Sequence, residues 1–285
     1  MNESPLDKLP PLKEVIASFG LAARRSLGQH FLLNPQITAQ IAATAGDLKG
    51  RTVIEVGPGP GGLTRSLLAA GAAPLIAIER DHRCVTALLD LVAASENRLT
   101  VVPDDAIEVD EAALAAAHNG SLPMIIVANL PYNIATVLIL KWLARPGLFK
   151  DIVVMVQKEV AERLAAPPRT SSYGRLSVMV QWRATVDMLF DLAPGAFTPP
   201  PKVTSTVIRI TPRAEPLAPA EPQIMETVVR TAFGQRRKML RASLKGLGLN
   251  TVELLSRAEI EPTLRAEELS IEDFARLSRA YAESR

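Results

Sequence analysis

The 285-residue chain has only one cysteine, Cys84, so it can form neither an internal disulfide nor a structural zinc site. It also lacks any run of about 18 uninterrupted apolar residues. Its first thirty residues carry recurring charges in place of an apolar segment with a small-residue cleavage site. We therefore expect a cytoplasmic protein without a membrane span or secretory signal. The net charge of +2 identifies no partner by itself, so any nucleic-acid signal must come from how the basic residues are distributed.

Hydrophobic residues make up 48% of the chain, enough for a sizeable α/β domain and a small second domain. Short apolar runs rich in valine and isoleucine predict the buried strands of a parallel sheet. These runs are Thr52 to Val56, Pro74 to Ile78, Leu99 to Val102, Met124 to Ala128 and Ile152 to Val156. The segments between them have helical spacing and are long enough for right-handed crossovers, as in Leu63 to Ala70, Arg83 to Val92 and Ala135 to Leu143.

The pattern changes after Ser171. Leu176 to Phe190 and Val203 to Thr211 predict two longer strands, joined through Pro194 to Pro201. We expect these strands to form an antiparallel pair at the edge of the sheet, which makes the sheet mostly parallel but mixed.

Recurring prolines in residues 213–222 cannot continue a helix or a central strand, so they predict a linker after a first domain of residues 1–212. Residues 223–285 have a helical pattern, interrupted at Gly246 to Gly248 and at Pro262. They predict a small helical domain.

A glycine-rich loop follows the first predicted strand, in Glu55-Val56-Gly57-Pro58-Gly59-Pro60-Gly61-Gly62. Glycines let the backbone turn sharply and approach a ligand, but their spacing also fits an NAD-type oxidoreductase. Glu79 ends the next strand and can accept hydrogen bonds from a ribose or cap a helix. Asp105, or its neighbour Asp104, can accept from an adenine amino group or cap a helix. Recognition of a nucleoside at successive strand ends favours S-adenosylmethionine over a dinucleotide.

The tetrad Asn129-Leu130-Pro131-Tyr132 follows the fourth predicted strand, on the ligand side of such a sheet. The Asn129 side-chain oxygen and a backbone carbonyl can accept both hydrogens of an exocyclic amine, while the Tyr132 ring stacks on the heterocycle. That chemistry suits methylation of a nucleobase amine. In isolation the tetrad is more typical of an ordinary strand-to-helix turn with an Asn cap and a core Tyr.

Further motifs accompany the loop and the tetrad along nearly the whole chain. In order they are Gly28-Gln29-His30-Phe31-Leu32, Glu55-Val56-Gly57-Pro58-Gly59, Glu79-Arg80-Asp81, Asp105-Ala106, Asn129-Leu130-Pro131-Tyr132-Asn133-Ile134, Gln157-Lys158-Glu159-Val160, Tyr173-Gly174-Arg175-Leu176-Ser177, Phe197-Thr198-Pro199-Pro200-Pro201-Lys202-Val203 and Phe233-Gly234-Gln235-Arg236-Arg237-Lys238. In order and spacing they resemble the ribosomal RNA adenine N6-dimethyltransferases, and most of all the bacterial small-subunit enzymes. The resemblance implies a Rossmann-like methyltransferase sheet with a small C-terminal helical domain.

The resemblance also implies roles for individual residues. Those expected to bind S-adenosylmethionine are His30, Leu32, Gly57, Glu79, Asp105 and Asn129. Many relatives have Asn where this chain has His30, and either side chain can donate a hydrogen bond. The chain also has Ala135-Thr136-Val137 where relatives often have Ser or Thr followed by Pro, a difference that we expect to be tolerated.

The expected mechanism is direct transfer of a methyl group to the adenine N6 atom, without a metal. Asn129 and the Leu130 carbonyl are the candidate acceptors of the two N6 hydrogens, Pro131 holds that carbonyl outward, and orientation supplies much of the acceleration. Tyr132 and Phe197 can sandwich the unstacked base, or either can be a core residue.

Basic residues cluster in the helical domain, where no acidic residue occurs between the first and last of them. They are Arg230, Arg236, Arg237, Lys238, Arg241 and Lys245. Such a stripe can neutralise RNA phosphates without reading sequence, or it can be a solvated helix face.

Together, these residues and the resemblance predict N6 dimethylation of two adjacent adenosines in the 3′-terminal hairpin loop of small-subunit rRNA, by a monomer acting on an assembling 30S subunit. A resistance-type enzyme acting on large-subunit rRNA is one alternative. Another is a ribosome-assembly factor that acts mainly by binding. An NAD-dependent oxidoreductase would leave the tetrad unexplained.

Overall fold

The computed structural model describes residues 4–21 and 29–285, which form two compact units. The first unit comprises the described part of Met1–Ala161 together with Asp187–Pro212, and the second comprises Glu162–Val186 and Arg213–Arg285. The last segment of the first unit ends at Pro212. Residues 162–186, which were expected in the first domain, belong to the second unit.

A mixed seven-stranded sheet organises the first unit. The described strands are β1 (Phe31–Leu32), β2 (Val53–Val56), β3 (Leu75–Ile78), β4 (Leu99–Val102), β5 (Met124–Asn129), β6 (Phe149–Gln157), β7 (Ala184–Leu192), β8 (Phe197–Thr198) and β9 (Ser205–Pro212). The order in the sheet is β4-β3-β2-β5-β6-β9-β7. β2 pairs in parallel with β3 and β5, β3 with β4, and β5 with β6, whereas β9 runs antiparallel to β6. The five predicted parallel strands and the mixed sheet are confirmed.

Helices connect the strands and form most of the second unit. They are α1 (Leu12–Ser18), α2 (Pro35–Thr44), α3 (Gly62–Ala69), α4 (His82–Ala87), α5 (Leu89–Ala94), α6 (Glu111–Ala117), α7 (Ala135–Leu143), α8 (Lys158–Ala165), α9 (Arg175–Gln181), α10 (Pro222–Gly234), α11 (Leu240–Ser243), α12 (Thr251–Arg257) and α13 (Ile271–Glu283). Short 3-10 helices occur at Pro5–Lys8, Pro194–Ala196, Leu244–Leu247 and Ala266–Glu268. Within the two described ranges, none of these helices combines the length and apolar character needed to cross a bilayer.

The strand predicted from Leu176 to Phe190 is wrong in its first part. Arg175–Gln181 form helix α9, and β7 begins only at Ala184. The Ser177 hydroxyl accepts a hydrogen bond from the Gly174 amide and thereby caps the first turn of α9. The run from Ser177 to Val180 is buried throughout. A fully buried helix and a fully buried strand give the same apolar run, which is why the sequence pattern was misleading here.

An aromatic cluster explains why residues 162–186 belong to the second unit. The buried Tyr173 ring lies edge-on to Phe233, with 6.1 Å between ring centroids, and Phe233 stacks on Phe274 at 5.7 Å. The Tyr173 hydroxyl donates to the Leu269 carbonyl at 3.0 Å. This segment therefore supplies part of the second unit's own core.

Burial on both faces fixes the centre of the sheet in the first unit. Every side chain from Met124 to Ala128 in β5 is at most 1% exposed, as expected for a central parallel strand. Because β2, β3, β4 and β5 run in the same direction, their carboxyl ends meet at one edge of the sheet. That edge is where an open α/β sheet binds its ligands.

Candidate active site

A cavity opens at the carboxyl ends of these four strands. Of the predicted site residues, those that line it are His30, Leu32, Gly57, Glu79, Asp105, Asn129, Leu130, Pro131 and Tyr132. They are distributed over about a hundred residues of sequence, and the parallel strands bring them to one place. Gly28, which belongs to the first quoted motif, lies outside the described residues.

The glycine-rich loop forms one wall of the cavity and allows the segment around Phe31 to approach closely. Gly59 has a φ of +56°, and a Cβ atom there would lie 3.1 Å from the Phe31 ring. At Gly62 a Cβ atom would lie 2.5 Å from the Leu32 carbonyl oxygen, which real contacts do not permit. Side chains at these two positions would push the segment away from α3.

Glu79 is held rigidly at the end of β3. One carboxylate oxygen accepts from the Gly59 amide at 3.1 Å and the other from the Asp81 amide at 2.8 Å. The residue is only 5% exposed, and burial raises the pKa of its carboxyl above the usual value. Glu79 thus links the glycine-rich loop to β3 and presents its oxygens to the cavity.

Glu55, which the sequence did not single out as a site residue, also lines the cavity. It is 1% exposed, and its Oε2 atom has no hydrogen-bond partner in the described part of the chain. Burial raises the pKa of this carboxyl to about 8, although the Thr64 hydroxyl opposes the shift; the neighbouring Glu79 raises it further. At neutral pH Glu55 is therefore mainly a neutral acid that can donate a hydrogen bond. A carboxylate placed directly before the glycine-rich loop was the available sequence signal.

Asp105 and Asp104 both line the cavity at the end of β4. Asp104 is exposed, and its carboxylate accepts from the Asp105 amide at 2.7 Å. Asp105 is less exposed; one of its oxygens accepts from the Ile107 amide at 3.0 Å and the other lies 3.1 Å from the Arg80 guanidinium. The Arg80 contact was not predicted. It orients the Asp105 carboxylate and holds a positive charge at the rim.

Asn129 presents its side-chain oxygen to the cavity because its amide nitrogen is already engaged. That nitrogen donates to the backbone carbonyl of His30 at 2.9 Å. Only the nitrogen of the amide can donate, so this contact fixes the orientation of the side chain. Among the residues described, neither the Asn129 side-chain oxygen nor the Leu130 carbonyl accepts a hydrogen bond. Two neighbouring acceptors are therefore available.

The Tyr132 ring lies beside the segment that carries His30. The two rings stack with 5.6 Å between centroids and 28° between planes. His30 Nδ1 lies 2.8 Å from the Pro199 carbonyl, which requires that nitrogen to carry the proton and donate. The Tyr132 hydroxyl lies 2.6 Å from the Ser205 hydroxyl, and burial raises the pKa of the phenol. One face of Tyr132 is thus occupied by His30.

The prediction that Phe197 stacks on a base is not supported by its position. Phe197 is 3% exposed, lies in the hydrophobic core of the first unit and does not line the cavity. β8 pairs antiparallel with β1, which places Phe197 opposite Leu32. The alternative reading, a core residue, describes Phe197 correctly in this structure.

The basic residues of the second unit fall into two groups. Arg236 pairs with Glu267 at 2.6 Å and donates to the Thr170 and Ser171 carbonyls at 3.3 and 2.8 Å. The others, which we call the basic surface, are exposed, and for none of them does an ion pair occur within the described ranges. The basic surface consists of Arg230, Arg237, Lys238, Arg241 and Lys245. Arg236, which the sequence also predicts to contact RNA, is thus held by partners within the second unit.

Residues 20–283 match a family model described as ribosomal RNA adenine dimethylase. The chain is 55% identical over 278 residues to the ribosomal RNA small subunit methyltransferase A of Rhodospirillum rubrum, covering 98% of this chain and 94% of that protein. A dimethyladenosine transferase from Plasmodium falciparum has a similar structure, with a TM-score of 0.74 and 27% identity over 87% of this chain and 96% of that one. The 23S rRNA methyltransferase ErmE is also similar, with a TM-score of 0.65 and 26% identity over 88% of this chain and 99% of that one.

Proposed function

Because the chain belongs to the ribosomal RNA adenine dimethylase family, we propose that it transfers methyl groups from S-adenosylmethionine to N6 of two adjacent adenosines in the 3′-terminal hairpin loop of small-subunit rRNA. The product is N6,N6-dimethyladenosine. The observation that carries this proposal is the pair of available acceptors on Asn129 and Leu130 at the edge of the cavity. An exocyclic amine with two hydrogens needs two acceptors, and the Asn129 side-chain oxygen and the Leu130 carbonyl supply them.

The chemistry of the cavity fits S-adenosylmethionine. Glu79 and Asp105 both line the cavity, and we propose that Glu79 accepts from the ribose hydroxyls and Asp105 from the adenine amino group. Glu55 offers an unpartnered oxygen in the same cavity, and Gly57 and Leu32 complete its wall. When bound, the cofactor supplies a methyl group on a sulfonium, which is already strongly electrophilic.

The residues of the tetrad act on the other reactant. Asn129 and Leu130 accept the two N6 hydrogens, which favours a more pyramidal nitrogen with an available lone pair. Their fixed positions orient N6 toward the methyl group, and orientation of this kind supplies much of the acceleration. The released proton goes to solvent, and no step requires a metal or a protein base.

Tyr132 remains the candidate stacking residue for the flipped base. One of its faces lies against His30, so the adenine would use the other face or displace the His30 ring. Phe197 could take part only after it leaves the core.

The comparison with known proteins favours small-subunit rRNA over large-subunit rRNA. The Rhodospirillum rubrum relative named for the small subunit is 55% identical, whereas the 23S enzyme is 26% identical. The basic surface would neutralise phosphates, while the shape of an assembling 30S subunit and its unpaired loop select the site. We propose that the protein acts as a monomer in the cytoplasm, where small subunits assemble.

Methyl transfer with labelled S-adenosylmethionine tests the proposal. The purified protein is incubated with small subunits that lack the modification, with unmodified large subunits as control, and labelled nucleosides are mapped by mass spectrometry. We expect dimethyladenosine at two adjacent small-subunit positions. Label confined to large subunits would select the resistance-type function, and tight binding without label would select an assembly factor.

A further inference from the structure

Lys141, in the last turn of α7, contacts the segment that connects β4 to α6. Helix α7 begins just after the tetrad, and the contacted segment begins at the cavity with Asp105 and Ala106. Lys141 thus joins two parts of the site. One is α7, which follows the tetrad, and the other is the segment with Asp105, the candidate adenine-binding residue.

The Lys141 ammonium has three hydrogen-bond donors, and all three are used in this segment. It donates to the Ala106 carbonyl at 2.8 Å, to the Val109 carbonyl at 2.5 Å and to Glu111 Oε1 at 2.9 Å. Its side chain is 23% exposed, so solvent screens these contacts only in part. The ammonium cannot turn to another partner without breaking one of these three hydrogen bonds.

Glu111 provides a fixed anchor for the ammonium. It is 1% exposed, and the same oxygen that contacts Lys141 also accepts from the Trp142 indole at 2.8 Å. Trp142 is itself 1% exposed and belongs to α7. The charge of Lys141 is therefore held in place by two buried side chains.

The segment from Asp105 to Val109 depends on this anchor because it forms neither a helix nor a strand of its own. The Asp105 carbonyl accepts from the Glu108 and Val109 amides, and the Asp105 side chain accepts from the Ile107 amide. These bonds close a compact turn. The Ala106 and Val109 carbonyls face the Lys141 ammonium, which ties the turn to α7.

We propose that Lys141 is a positioning residue for cofactor binding, which holds the turn of residues 105–109 so that the Asp105 carboxylate faces the adenine subsite. This inference rests on the proposed function, because that function assigns the adenine contact to Asp105. Lys141 does not line the cavity and acts only through the turn. Its loss should therefore weaken binding of the adenosine part of the cofactor and leave the chemical step intact.

The main test is the variant Lys141→Met, which keeps an unbranched side chain of nearly the same length and removes its charge and donors. Isothermal titration measures its affinity for S-adenosylhomocysteine and for 5′-methylthioadenosine, which lacks the amino-acid part. We expect both affinities to fall by the same factor, about tenfold, as for lost hydrogen bonds to a charged group. With saturating cofactor, kcat on small subunits should stay within about twofold of wild type because no group at N6 has changed.

Two further variants separate positioning from general stability. Arg145→Met removes the cation one turn further along, which contacts Asp110 at 2.7 Å, lies 3.9 Å from Glu111 Oε2 and donates to neither carbonyl, so both affinities should stay within about twofold of wild type. Lys141→Arg restores a charged donor and should recover much of the lost affinity. If Lys141→Met fails to fold, Lys141→Gln keeps a donor and should show a smaller loss of about threefold, equal for both probes.

An affinity of Lys141→Met equal to wild type for both probes would overturn the inference. So would an equal rise in KM for cofactor and for small subunits, since a purely structural role would affect both. If the wild-type protein itself binds neither probe, the assignment of the cofactor site fails, which is a separate result from an unaffected variant.

Discussion

The cavity of the first unit and the basic surface of the second unit hold ionisable side chains in opposite ways. In the cavity, Glu55 and Glu79 are at most 5% exposed, and Glu79 is fixed by two backbone amides. On the basic surface, the cations are exposed and have no ion pairs within the described part of the chain. Buried groups pay a desolvation cost and gain fixed geometry, which suits recognition of one small molecule. Exposed cations keep their hydration and mobility, which suits a phosphate backbone.

Arg236 differs from the residues of the basic surface because it has partners within the second unit. It belongs to the same stretch of sequence as Arg237 and Lys238, yet its guanidinium binds Glu267 and two carbonyls of the loop before α9. A cation committed to partners within its own unit is a poor phosphate ligand. The comparison therefore predicts large, specific effects in the cavity, small and additive effects on the basic surface, and a structural effect at Arg236.

The largest effect is expected for Asn129→Ala. Loss of the oriented side-chain oxygen removes one of the two proposed acceptors for N6, and we expect methyl transfer to small subunits to fall by about 10²-fold, as for a misplaced reactant. Single-turnover transfer measures the effect, and binding of small subunits is the control. Transfer at the wild-type rate would show that Asn129 is not the acceptor.

A smaller effect is expected for Glu79→Gln. The change replaces a charged acceptor with a neutral amide, and we expect the affinity for S-adenosylhomocysteine to fall by about tenfold. The matched control is Glu108→Gln, which makes the same chemical change at an exposed residue. Equal affinities of the two variants would contradict the role given to Glu79.

On the basic surface, Arg237→Ala, Lys238→Ala and Arg241→Ala should each weaken binding of small subunits modestly. Each should lower the slope of log binding constant against log salt by roughly one, since each removes one phosphate contact. Arg236→Ala should instead lower the melting temperature by roughly 2–4 °C, as for a partly exposed ion pair with added hydrogen bonds. A salt slope reduced at Arg236 as much as at Arg237, with no thermal effect, would erase the distinction between them.

A separate effect, on stability and not on activity or binding, is a pH dependence at Glu55. Its pKa is raised from 4.5 to about 8 in the folded protein, so the unfolded chain gives up this proton first as the pH rises. The contribution of Glu55 to the free energy of unfolding therefore falls between pH 4.5 and about 8. Glu55→Gln removes this loss and should raise the melting temperature by a few degrees more at about pH 8 than at about pH 5. Cofactor-free melts at both values check this, and an equal shift at both would contradict the assignment.

Much of the cavity was predictable because it is built from short segments at strand ends. The tetrad and the glycine-rich loop each follow an apolar run, and parallel pairing brings such ends together whatever their separation in sequence. Glu79 and Asp105 follow the same rule at β3 and β4. The apolar runs, together with the rule that parallel strands end at one edge of the sheet, are sufficient to predict where these residues lie.

The surroundings of other residues could not be predicted because their partners come from distant segments. Phe197 is buried because β8 pairs with β1, some 165 residues earlier, at Leu32. Arg236 is neutralised by Glu267 and by carbonyls at Thr170 and Ser171. No local pattern contains such partners, and the same applies to the contact of Arg80 with Asp105. The error at α9 has another cause, since a buried helix and a buried strand share one pattern.

The proposed roles are methyl transfer at the cavity and phosphate binding at the basic surface. Their most direct test is a cryo-EM structure of the protein with S-adenosylhomocysteine on unmethylated small subunits. We predict that an unstacked adenosine of the 3′-terminal hairpin loop places N6 within hydrogen-bond distance of the Asn129 side-chain oxygen and the Leu130 carbonyl. Phosphates should lie against Arg237, Lys238 and Arg241. An adenosine bound away from the tetrad, or RNA that contacts another face of the second unit, would contradict the account.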